Sequence, residues 1–173
     1  MKYDKKLEEF IQKYKFQWVN VIDRKGKEHT GLLAHWNETG TTLGDGIKMS
    51  DPIIELHGTG ASVSEIIAVN EIYSIYIRKV DENNNIITSD RILDEEQRSI
   101  AGRCWSLKEA DKLLSLLNKT STENWEIVSG VDKSYKPTRE CFDIQVKSPI
   151  NYNKASMDLT ECLVSVHNNS ETT

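Results

Sequence analysis

The segment KGKEHTGLLAHWNE, residues 25–38, limits what this chain can fold into more than any other stretch. Two glycines, Gly26 and Gly31, stand five residues apart among alternating apolar positions. The first belongs to the turn RKGK, where a positive φ favours glycine. The second falls inside a strand, where a missing side chain marks a bend or a bulge. Upstream, Trp18, Asn20 and Ile22 point to one face of a strand, and Val19, Val21 and Asp23 to the other. Residues 18–36 therefore predict an antiparallel pair with a curved second strand.

The flanking pattern extends this pair. Leu7, Phe10, Ile11 and Tyr14 fall on one face of a helix over residues 4–15, too short to stand without an apolar support. After Trp36, NETGTTLGDGIKMSDP reads as a long loop with a short strand near Thr41–Leu43. IIELH is a third strand, VSEIIAV a fourth, and NEIYSIYIRKV a tight turn into a fifth. Five short strands after one helix predict a small closed barrel over residues 1–80.

Beyond residue 80 the pattern changes. DENNN is a polar turn, and IITSDRILDEEQRSIAG is charged and weakly periodic. SLKE at 106–109 is a capping box in which Ser106 caps and Glu109 reaches back. Ala110, Leu113, Leu114 and Leu117 follow as an apolar stripe, so a helix is expected over 106–118. WEIVSG and RECFDIQV, joined by VDKSYKPT, form a hairpin over 124–147, and Pro149 stops its last strand. Residues 151–173 carry few apolar side chains outside CLVSV and are expected to be a mostly flexible tail. The fold class is α+β: an N-terminal helix and five-stranded small barrel, then a helix and β-hairpin extension over residues 81–150.

Composition narrows the function. With 38% apolar and 28% charged residues the chain is globular, and its net charge of -5 argues against a dedicated nucleic-acid binder. No apolar run suits a signal peptide or a membrane span, so a cytoplasmic protein with no membrane contact is expected. Cys104, Cys141 and Cys162 are too widely spaced for a disulfide framework or a metal knuckle. His29 and His35 share one strand face, but no carboxylate or cysteine joins them at metal-ligand spacing. No metal and no cofactor is therefore expected, and no catalytic set of residues is visible.

The order of one helix and five strands resembles the Sm/LSm family of small barrels. The family's first motif has a turn glycine, a second glycine, an apolar residue and an aromatic followed by Asp. Gly26, Gly31, Leu33, Trp36 and Asn37 stand at those spacings. Its second motif is matched in the apolar frame by Ile67, Ile72 and Ile75, while Ala68 and Val69 occupy its Arg and Gly places. The resemblance, over residues 4–77, implies an SH3-type barrel whose outer strands join copies. RNA-binding members cradle an unstacked base with that Arg and with an Asn of the first motif. Here the Arg is absent, and the Asn would fall near Thr41.

Three readings of function follow. The first is a non-enzymatic binding or adaptor protein, acting on a protein partner or as a homo-oligomer through the barrel surface. Tyr73 and Tyr76, three residues apart on a strand, should face opposite ways, leaving one beside Trp36 and Asn37 as a surface stacking platform. The second is RNA binding, aided by a basic patch of Arg24, Lys25, Lys27, Arg78 and Lys79. The third is capture of a small anionic ligand such as a nucleotide by the loop holding His57, Thr59 and Ser62, whose glycines let amides converge.

Overall fold

In the computed structural model, which describes residues 4–37, 52–58, 64–88, 90–94 and 99–170, α1 (Asp4–Tyr14) buries Leu7, Phe10 and Ile11 along one face. Phe16, at φ 65°, ends this helix in the left-handed region, and its amide donates to the Leu33 carbonyl at 2.7 Å. The strands that follow are β1 (Trp18–Asp23), β2 (Glu28–Asn37), β3 (Ile53–His57), β4 (Ser64–Ala68), β5 (Ile72–Tyr76), β6 (Lys79–Val80), β7 (Ile86–Thr88) and β8 (Arg91–Leu93). Gly26 has φ 86° in the β1–β2 turn, and a single 3-10 turn, Val69–Glu71, leads from β4 into β5.

The chain divides into two compact units, residues 1–80 with 87–94, and residues 81–86 with 95–173. The sheet of the first unit runs β4-β3-β2-β1-β5-β8, with antiparallel neighbours throughout. Five of these strands are those expected of a barrel, but the described pairings form an open sheet and not a closed one. The reason is local. The outer edge of β5 is taken by β8, with Ile75 opposite Ile92, so that edge is not left for β4. One apolar core joins α1 to Val19, Val21, Leu33, Ile54, Leu56, Ile67, Val69, Ile72 and Ile75.

Two irregularities shape this sheet. Between Leu33 and His35, β2 advances two residues while β3 advances one, which makes Ala34 the extra residue of a bulge. The bend expected at Gly31 therefore comes three residues later. Gly31 is buried for a different reason: the backbone of β3 passes close to it. A second shift, at Ile22 and Asp23, makes Tyr73 the extra residue on β5.

In the second unit, β9 (Ile100–Cys104), β10 (Glu126–Asp132) and β11 (Arg139–Val146) form an antiparallel sheet in the order β10-β11-β9. Helix α2 (Leu107–Thr120) is capped by Ser106, whose Oγ accepts the Glu109 amide at 3.2 Å. The Glu109 carboxylate reaches back one residue further than a capping box implies, to the Trp105 amide at 3.4 Å. Ala110, Leu113 and Leu117 are fully buried, and Leu114 is half-buried.

The expected flexible tail is instead α3 (Tyr152–Ser170). Ala155, Leu159, Cys162 and Val166 recur at helical spacing and close the core over Ile144, Val146 and Ile100. Asn151 caps this helix, its Oδ1 accepting the Lys154 amide at 3.0 Å. Glu123 holds the helix entry by accepting the Ile150 and Asn151 amides at 2.8 and 2.9 Å. Among the described residues no helix is long and apolar enough to cross a membrane.

Candidate functional site

Antiparallel pairing in the first unit places Asn20 opposite Tyr76 and, one strand over, opposite Thr30. Asn20 is buried, and its amide donates to Glu28 Oε1 and, at 3.5 Å, to Tyr76 Oη. Tyr76 Oη donates to the same carboxylate oxygen at 3.3 Å. Burial, followed by the Glu28 charge, pushes the Tyr76 phenol up to about 12. The phenol stays protonated at neutral pH and acts as a hydrogen-bond donor, not as a base.

A second polar group gathers around His29. Asp23 Oδ1 accepts the Lys25 and Lys27 amides, each at 2.9 Å, and so shapes the β1–β2 turn. Its other oxygen lies 3.1 Å from His29 Nε2, while His29 Nδ1 lies 2.5 Å from Glu65 Oε1 on β4. Burial raises the Asp23 carboxyl, but the hydrogen bond to His29 and the two turn amides outweigh it and hold the group below the ordinary carboxylate range. In the sheet order β3 lies between β2 and β4, so this contact joins two strands that are not neighbours. Among the described residues no group of His, Cys, Asp and Glu side chains can hold a metal ion.

The expected site residues that are described fall at separate places. Tyr73 and Tyr76 are both buried, at 1% and 3% exposure, so neither offers a surface ring. The bulge at Tyr73 explains this. Ile72 and Ile75 share one core although an odd offset separates them in an ideal strand, because the extra residue at Tyr73 resets the alternation. Trp36 and Asn37 pair with Ile54 and Ile53 through the backbone. His57 is exposed at the end of β3 opposite Ser64, while Thr59 and Ser62 lie outside the described residues.

The basic patch is divided as well. Arg24 is committed to the buried Asp94 carboxylate and, through Nε, to the Asn70 carbonyl at 2.7 Å. It lies with Lys25 and Lys27 just past the end of β1 that faces Ile72. Arg78 and Lys79 follow Tyr76, at the opposite end of the same antiparallel pair. The six residue steps from Trp18 to Arg24 span roughly 20 Å at about 3.3 Å per residue.

Two features were not foreseen. On the sheet of the second unit, Arg103 grips Asp143 through Nε and Nη2, at 2.9 and 3.0 Å, and Asp132 through Nη1 at 2.7 Å. These carboxylates keep the guanidinium pKa above its ordinary value, Asp143 first. Nearby, the Arg139 guanidinium stacks over Trp105 at 4.2 Å, and Tyr135 meets Trp105 edge-on at 5.3 Å and 76°. The signal lay in DKSYKPTR, where cations alternate with an aromatic ring, but it reads as an ordinary hairpin loop until β9 brings Trp105 beside it.

An outer strand edge of the kind the resemblance implies is that of β4. Among the described residues no strand pairs with it on that side, and Ser64, Glu65 and Ile66 are exposed along it. The fold is thus that of an α+β protein built from two antiparallel-sheet units, each with its own core. Compared with known protein families, curated proteins and solved structures, the chain matches none.

Proposed function

We propose that the protein is a non-catalytic binding protein that associates with a second copy of itself along the outer edge of β4. One observation carries this reading: Ile66, a β-branched apolar residue, is 41% exposed on a strand at the end of a sheet. Such edges template pairing with another chain unless a proline, a free charge or a covering element blocks them. SEIIA contains no proline, and its one charge, Glu65, is drawn toward His29. The resemblance to Sm-type barrels, whose outer strands join copies, supports the same surface.

Native mass spectrometry and sedimentation test the reading. The wild-type chain should run as an oligomer. Ile66→Lys, which places a charge on the edge without touching the core, should run as a monomer with an unchanged unfolding midpoint. A wild-type chain that remains monomeric at high concentration removes the proposal.

A further inference from the structure

The end of the β10–β11 hairpin carries a constellation that self-association along β4 does not use. We propose that Trp105, Tyr135 and Arg139, together with Lys133 and Lys136, form a binding site for single-stranded nucleic acid. The cluster is built by three pieces of chain: the residue after β9, the loop 133–138, and the first residue of β11. Arg139 Cζ lies 4.2 Å from the centre of the Trp105 ring and 5.8 Å from that of Tyr135. The stack holds the guanidinium in one orientation, with its other face and its N–H edge turned from the indole. Tyr135 is 44% exposed and Arg139 is exposed.

Charge at the hairpin end favours an anion. Among the described residues no carboxylate pairs with Lys133, Lys136 or Arg139. The nearest acids are occupied, Asp132 by Ser134 and Arg103, and Asp143 by Arg103. Glu140 alternates to the other side of β11 from Arg139. Glu109 is spent on the Trp105 amide. The chain is acidic overall, but the loop that presents the rings is basic.

The rings decide the class of ligand. An acidic peptide would engage the three cations and leave Trp105 and Tyr135 idle. A single strand uses both sets, because its phosphates meet the ammonium groups while an unstacked base lies on a ring or on a guanidinium plane. A duplex keeps its bases stacked and cannot reach the platform in this way.

Fluorescence anisotropy of a labelled oligouridylate or oligothymidylate, about a dozen nucleotides long, tests the assignment on the full chain. Binding is expected at low salt, and a fourfold rise in salt should weaken it about twentyfold if three phosphates are neutralised. Tyr135→Ala and Arg139→Ala, both at exposed positions, should each weaken binding roughly tenfold with unchanged circular dichroism. Replacing Lys133 and Lys136 together by Ala should flatten the salt dependence. Ile66→Lys should leave oligonucleotide binding intact, which separates this site from the β4 edge. No binding at low salt, full binding by Tyr135→Ala, or a polyglutamate peptide that binds as well as the oligonucleotide would each overturn the proposal, the last assigning the surface to an acidic protein.

Discussion

A Cβ placed on Gly31 would stand 2.9 Å from Leu56 Cβ and 3.1 Å from the His57 carbonyl oxygen, so even Ala forces β2 and β3 apart. Gly31→Val should cost roughly 1–3 kcal/mol in a denaturant titration, and an unchanged midpoint would mean that the two strands do not approach as described. Phe16 poses the opposite case. It is 67% exposed and holds φ 65°, where a bulky side chain is strained, so Phe16→Gly should stabilise the fold by up to about 1 kcal/mol, read as a higher denaturant midpoint. Asp23 adds a pH dependence. Its carboxyl titrates below the ordinary range in the folded chain, so the unfolded chain binds the proton more readily. Its contribution is therefore present above the ordinary carboxylate pKa and is lost as pH falls through the lower, folded value. Asp23→Ala should be less stable than wild type at neutral pH, with the difference closing in acid; a constant difference across the acid limb would show that the charge is not involved. At this scale the importance of Gly31 could be read from its neighbours, because a glycine among alternating apolar residues has few explanations. The burial of Tyr73 and Tyr76 could not, because a single bulged residue resets strand alternation and leaves no mark in composition.

Helices show the same division between what a pattern reveals and what it hides. Helix α2 is legible because Ser106 announces its start and three consecutive turns repeat an apolar residue. Its inner stripe separates two neighbouring leucines. Leu113→Ala, at a fully buried position, should cost about 2–5 kcal/mol, and Leu114→Ala, at a half-buried one, distinctly less. Equal losses from the two would mean that the helix is rotated on its axis. Helix α3 escaped because its stripe is thin: one residue per turn, among them Ala155 and Cys162, which are weak signals of a core. Packing supplies what the pattern lacks. The Leu159 methyl groups lie 3.2 Å from where a Cβ on Gly102 would stand, so β9 and α3 meet across a glycine. Leu159→Ala should therefore cost about 2–5 kcal/mol by denaturant titration, a loss that a flexible tail could not produce. Strands β8 and β9 were hidden for a related reason. Three residues are too few to show alternation, and Gly102 interrupts it in Ile100–Cys104 at one of the inward positions.

The described residues form two apolar cores, and each draws on one stretch of sequence. The first takes residues from Leu7 to Ile75, with Ile77 and Ile92 at its margin, and the second from Ile100 to Val166. This arrangement was partly legible: the change of pattern after residue 80 marks where the first group of strands ends. The open sheet was not legible, because closure depends on which strand reaches the outer edge of β5 first, and the three residues of β8 that do so carry no signature of their own. Gly31→Val acts on the first core and Leu159→Ala on the second, and among the described residues none belongs to both clusters. Combined in one chain, their costs should add to within about 0.5 kcal/mol, as expected for sites in different clusters. The measurement is a double-mutant cycle by denaturant unfolding, read through both far-ultraviolet circular dichroism and tryptophan fluorescence. A coupling energy well above that margin would show that the two cores stabilise one another, and the division into units would then describe the path of the chain and not its energetics.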